Sequence, residues 1–156
     1  MITFVHIADS RDEGLIRKNG LRLPKRRVRL SDDDRSKYGV FALPVIQNFV
    51  ISHQWLRELK RRGFRTAVRV YFGIADNESV WAGRYNEKKE KLTAAEAARV
   101  LMREQTLGYE VVIPRSIKAS EIASIRQLPQ VVGCGTIQKH MGGRHFAVVH
   151  IANEEI

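Results

Sequence analysis

Apolar positions recur along this 156-residue chain with two periods, alternate residues in some segments and every third or fourth in others. Ile2 to Ile7 reads as a first strand. Asp9 or Ser10 then offers an N-cap, and Asp12 and Glu13 fall where a helix dipole favours acids. Leu15 and Ile16 supply the apolar face of a short helix that stops at Asn19-Gly20. A polar loop from about Arg22 to Lys37 precedes a second strand, Tyr38 to Leu43, ended by Pro44. From about Gln47 to Arg62 the spacing is helical, with Phe49, Val50, Trp55, Leu56 and Leu59 on one side and Gly63 as terminator. Thr66 to Ile74 alternates, Arg69 and Tyr71 on one face and Val68, Val70 and Phe72 on the other.

A turn at Asp76-Asn77 leads to a short strand from Ser79 to Ala82. Thr93-Ala94-Ala95-Glu96 fits a capping box, opening a helix through about Glu104 with Ala97, Val100 and Leu101 inward. The run Gly108 to Pro114 is a further strand, and Ser120 to Arg126 is expected to be a short helix. Gly142-Gly143 is a hairpin signal, with Arg144 to Ile151 as the returning strand. Strands and helices mix without strict alternation, so the expected fold is α+β with a largely antiparallel or mixed sheet and short flanking helices.

Composition narrows the class. The 44% hydrophobic and 28% charged content suits a soluble globular protein, and the length suits one domain over residues 1–156. A single cysteine, Cys134, excludes an internal disulfide and makes a reducing cytoplasm the expected compartment. The first residues lack a signal-peptide pattern, and no apolar run is long enough to span a bilayer.

Charge adds a partner class. The net charge of +10 is concentrated in two segments, 17–29 with seven basic residues and no acid, and 57–69 with six and one acid. Together they contribute +12 and leave the rest at −2, a clustering that favours a polyanion, nucleic acid first. Arg26-Arg27 and Arg61-Arg62 are the candidate phosphate contacts; the plainer alternative is a solvated, solubilising surface. No basic segment carries the broad apolar face that a membrane surface would require.

Two ionisable residues inside apolar strands need an explanation, because burying them without partners is costly. His6 could hydrogen-bond a sugar hydroxyl, shuttle a proton or satisfy a core carbonyl. Glu110 could face water from an edge strand, or face a cleft and steady a developing cation. Arg84 and Tyr85 could line a cleft or decorate an edge. Cys134, His140 and His145 match no standard metal-site spacing, so no metal is expected, and no Walker or dinucleotide-fold pattern is present.

Taken with their flanks, these residues carry a resemblance. Val5-His6-Ile7-Ala8-Asp9 followed by Gly14-Leu15-Ile16-Arg17-Lys18-Asn19-Gly20-Leu21 resembles the opening of the histidine-type ADP-ribosyltransferase superfamily, where a histidine-bearing strand precedes a helix closing in I-x-x-x-G-L. Tyr38-Gly39-Val40-Phe41-Ala42 is similar to the G-[IV]-[YF]-F-A strand of the poly-ADP-ribose polymerases. Glu110-Val111-Val112-Ile113-Pro114 resembles the last motif, whose strand carries the catalytic glutamate, and is nearest to the DarT-like DNA-modifying toxins. The related RNA 2′-phosphotransferases share the histidine strand but lack that glutamate. The resemblance touches residues 4–21, 38–55 and 108–122.

It implies an ADP-ribosyltransferase-like split sheet and an enzyme that uses NAD as substrate, with nucleic acid an acceptor consistent with the charge. His6 would hold the adenosine ribose, the backbone of Ile7 would grip the nicotinamide amide, and Glu110 would bind the nicotinamide ribose and steady the oxocarbenium-like charge. An anion so placed is worth roughly 3 kcal/mol or more. Ala8, Phe41, Phe49 and His53 complete the implied pocket, with Phe49, His53 and Trp55 as candidates to stack on nicotinamide. Two departures stand out. Ala8 occupies a position where the family usually has Ser or Thr, and the expected tyrosine falls near Ser52 or His53. An RNA 2′-phosphotransferase-like enzyme and a non-catalytic nucleic-acid-binding module on the same scaffold are the alternatives.

Overall fold

A computed structural model describes residues 1–23, 38–46, 54–56, 59, 66–85, 87–104 and 107–128. They form a small α+β protein whose seven strands make one sheet in the order β5-β4-β6-β2-β1-β3-β7. The strands are β1 (Ile2–Asp9), β2 (Val40–Pro44), β3 (Ala67–Ile74), β4 (Ser79–Arg84), β5 (Glu90–Thr93), β6 (Tyr109–Ile113) and β7 (Ile122–Gln127). Each neighbouring pair is antiparallel, so the sheet is antiparallel throughout rather than mixed.

Two helices complete the main elements. α1 (Glu13–Asn19) follows a 3-10 turn that Asp9 caps by accepting from the Arg11 amide, and α2 (Ala94–Glu104) starts at the expected capping box. There the Glu96 amide donates to Thr93 Oγ1 while the Glu96 carboxylate accepts from the Thr93 amide at 2.9 Å. α1 ends at Gly20, whose φ of +74° suits glycine; a Cβ there would sit 2.0 Å from the Ile117 carbonyl oxygen. Leu21 and Ile117 exchange backbone hydrogen bonds at this corner, tying the end of α1 to the segment after β6.

One face of the sheet carries the main core. Phe4, Ala8, Val68, Val70, Phe72, Val40, Ala42, Val111, Ile113 and Val80 point to it, and Ala97 and Leu101 of α2 cover it. Phe4 and Phe72, paired across β1 and β3, are fully buried with ring centroids 6.3 Å apart, and each such burial contributes about 2 kcal/mol. The opposite face has a smaller cluster of Leu56, Ala67 and Leu128, with Ile7 packed against it.

One expectation is corrected, and one strand was not foreseen. Residues 120–126 are not a helix: a 3-10 turn at Ala119–Glu121 passes into strand β7. Its pairing with β3, aided by Arg126 over the Tyr71 ring at 5.9 Å, satisfies a sheet edge that a helix would leave open. Strand β5, hidden in the charged run before Thr93, pairs with β4 from Ser79↔Thr93 to Ala82↔Glu90. In the predicted 47–62 helix, residues 54–56 and 59 are helical; the rest of it, the 22–37 loop beyond residue 23, and the Gly142-Gly143 hairpin lie outside the described residues. No helix among the described residues is long and apolar enough to cross a membrane.

Candidate functional site

The sheet opens between β1 and β2. Thr3 accepts from Val45, and the register continues through Phe4↔Pro44 to Val5↔Leu43, where the ladder stops. The next hydrogen-bonded pair in this register would be Ile7 with Phe41. It is not made. From His6 to Asp9, β1 pairs only with β3, while Val40 to Ala42 of β2 pair only with β6.

His6 accounts for one side of this split. Its Nδ1 lies 2.6 Å from the Phe41 carbonyl oxygen, the acceptor that Ile7 N–H would otherwise use. Burial among protein atoms depresses the imidazole pKa, against a smaller upward pull from that hydrogen bond. The neutral ring therefore donates from Nδ1–H to Phe41, which assigns Nε2 as a free acceptor. Strand alternation directs the Ile7 N–H and C=O away from β3 and into the opening. A donor and an acceptor from one residue, side by side, form the complement of a primary carboxamide.

Glu110 sits two strands from His6, with β2 between, so the strands that bear them are about 10 Å apart. Alternation places the Glu110 side chain on the same face as Phe41, Leu43 and Ile7, and assigns His6 to the core face. The His6 ring reaches the Phe41 carbonyl at the opening, while its side chain and that of Glu110 start from opposite faces of the sheet. Phe41 is 41% exposed beside it, and Ala8 is buried. Phe41, Val112 and Trp81 lie side by side across three strands, with Glu110 the next β6 residue on their face.

The carboxylate is not on an edge: β6 is flanked by β2 and β4, and Glu110 is 7% exposed. Its Oε1 meets Lys89 Nζ at 2.7 Å, and Lys89 is equally buried. Lys89, missed in the sequence, comes from the turn between β4 and β5. Gly83 stands opposite Glu110 in register, and a Cβ there would touch the Lys88 carbonyl and the Lys89 stem at 3.4–3.5 Å. These are ordinary van der Waals contacts that a side chain would also allow, so the glycine does not announce Lys89.

Helical residues 54–56 lie across both sides of the opening. Trp55 Nε1–H donates to the Tyr109 carbonyl at 3.0 Å, an acceptor left open because Pro44, next in register on β2, has no N–H. Trp55 also meets the Tyr85 ring edge-on at 5.5 Å, while Leu56 joins the cluster on the β1–β3 side. Of the proposed stacking residues, Trp55 is thus held next to Glu110 on the chain of β6. Gln54 accepts from the Gly108 amide, and its Nε2 is buried without a hydrogen-bond partner. Tyr109 itself is structural: its hydroxyl donates to the Ala97 carbonyl at 3.1 Å, and burial pushes its pKa up to about 12.

Phe49, His53, Arg26, Arg27, Arg61 and Arg62 lie outside the described residues, as do Cys134, His140 and His145. Among the described residues no group of His, Cys, Asp and Glu side chains could hold a metal ion. Comparisons with protein-family models, with curated proteins and with solved structures find no match.

Proposed function

We propose that this protein binds NAD in the opening between β1 and β2 and transfers ADP-ribose, with nucleic acid as the acceptor. The observation that supports the reading is the unmade Ile7–Phe41 pair, which leaves a backbone donor and acceptor beside a histidine that uses only Nδ1 on the Phe41 carbonyl. The nicotinamide carboxamide would take the Ile7 backbone, and a ribose hydroxyl would donate to His6 Nε2. Glu110, about 10 Å away across β2, is within the span between the two riboses of one dinucleotide.

The chemistry asks little of the protein beyond positioning and charge. The bond between ribose C1′ and the nicotinamide nitrogen breaks, and its electron pair goes to that nitrogen. An acceptor heteroatom then bonds to C1′ and releases its proton to water. Positive charge builds on the ribose meanwhile, and the Glu110 carboxylate is the anion set beside it. The ADP-ribosyltransferase-like fold is part of this proposal: the β1–β2 ladder stops part-way along the histidine strand, and the acid strand lies beyond the next one.

A second reading has one observation in its favour. Lys89 already neutralises Glu110, as expected of a scaffold that binds nucleic acid through its basic segments without turnover. NAD labelled on its adenylate phosphate, incubated with DNA, RNA or the protein itself, separates the two. Label transfer that Glu110→Gln abolishes supports the enzyme; salt-sensitive nucleic-acid binding with no effect of NAD supports the module.

A further inference from the structure

We propose that Lys89 is a positioning residue for Glu110: it holds the carboxylate by one oxygen so that the other meets the ligand. The inference rests on the NAD-transferase reading above. Two observations carry it. The pair is asymmetric, since Oε1 takes the ammonium at 2.7 Å while Oε2 has no partner among the described residues. The lysine is pinned rather than loose. Tyr85 donates to the Gly108 carbonyl at 2.7 Å, Glu87 to the Arg84 carbonyl at 3.2 Å, and the Ala82↔Glu90 pair closes the turn one residue beyond Lys89.

The physical need is specific. The terminal torsion of a glutamate is broad, so a carboxylate with both oxygens free does not hold one orientation. A lone carboxylate in so dry a place is also expensive. A single ammonium on one oxygen meets both needs and leaves the second oxygen free to accept a ribose hydroxyl. A forked guanidinium, by contrast, tends to engage both oxygens.

The test uses the full chain, NAD and the acceptor that takes label from the wild-type protein. Lys89→Met, checked for folding by thermal melting, is expected to lower kcat roughly ten- to a hundredfold, as loss of an orienting partner does at other sites, with KM changed by less than about threefold. Lys89→Arg keeps the charge, and its kcat is expected to fall between those of Lys89→Met and the wild type. Wild-type kcat in Lys89→Met would reduce the pair to a structural one, and a higher kcat would make Lys89 a block on the site; either overturns the proposal. If Lys89→Met does not fold, Lys89→Arg decides alone, and an unchanged kcat overturns it. A wild-type protein that transfers nothing overturns the transferase reading and this inference with it. Transfer that is indifferent to Lys89 overturns this inference alone.

Discussion

Two basic residues in this fold hold glutamates in opposite ways. Arg115, just past β6, takes both oxygens of Glu78 and both of Glu121 at 2.7–3.0 Å, and Glu121 also accepts from the Lys118 amide. This half-exposed cluster ties the β3–β4 turn to the segment before β7, and its acceptors are filled. Lys89 and Glu110, far more buried, make one contact and leave an oxygen over. A saturated network on the rim stabilises; an unsaturated one in the interior costs stability and is retained for what it can still bind. That contrast, more than burial alone, sets Glu110 apart from the glutamates of the rim.

The comparison breaks most sharply at Glu110. Glu110→Ala strands the buried Lys89 ammonium and is expected to cost about 3–5 kcal/mol in chemical denaturation. Lys89→Met/Glu110→Gln should recover much of that loss while label transfer stays absent; a double variant as unstable as the single would remove the buried pair from the account. At the rim corner, Gly20→Ala forces a Cβ against Ile117 and a left-handed φ, an expected loss of roughly 2–3 kcal/mol read as a lower melting temperature.

Arg115→Met should cost less, about 1–2 kcal/mol, because the cluster is partly solvated and screened. It also predicts a pH effect. Arg115 holds the Glu121 carboxyl below its ordinary value of 4.5, so the unfolded state binds the more protons around and below that pH. The Glu121 contribution is therefore complete above about pH 4.5 and is lost as pH falls through the lower folded value, and Arg115→Met should flatten that acid limb. Loss of the limb with Arg115 intact, or its survival in the variant, would contradict the assignment.

The smallest effect belongs to His6. Its folded pKa lies below 6.5, so the unfolded state binds more protons in the window beneath 6.5 and stability rises with pH up to it. As pH falls through the folded value the penalty becomes complete. His6→Asn should remove this slope, measured as melting temperature from pH 5 to 7 at constant ionic strength.

Much of this was legible in the chain, for identifiable reasons. β1, β3 and the capping box of α2 each rest on local patterns: an apolar run, strict alternation and Thr93 with Glu96. β7 was misread because Ile122 and Ile125 also fit a helical face, and only the open edge of β3 decides between the two. β5 and Lys89 were hidden because Glu87-Lys88-Lys89-Glu90-Lys91 has the composition of a solvated loop. The opening between β1 and β2 depends on a pair that does not form, which no local pattern encodes. His6 itself satisfies a strand carbonyl, one of its open alternatives, at the place where the β1–β2 ladder stops.

The central claim is that Ile7, His6 and Glu110 line one NAD site. Backbone and indole N–H resonances of the isotopically labelled protein, followed by NMR during titration with NAD, test it most directly. The account predicts concerted shifts at Ile7, Ala42, Glu110 and the Trp55 indole, with the Ile7 amide moving downfield as it gains an acceptor. Shifts absent at all four positions, or confined to one strand and indifferent to Ile7, would contradict it.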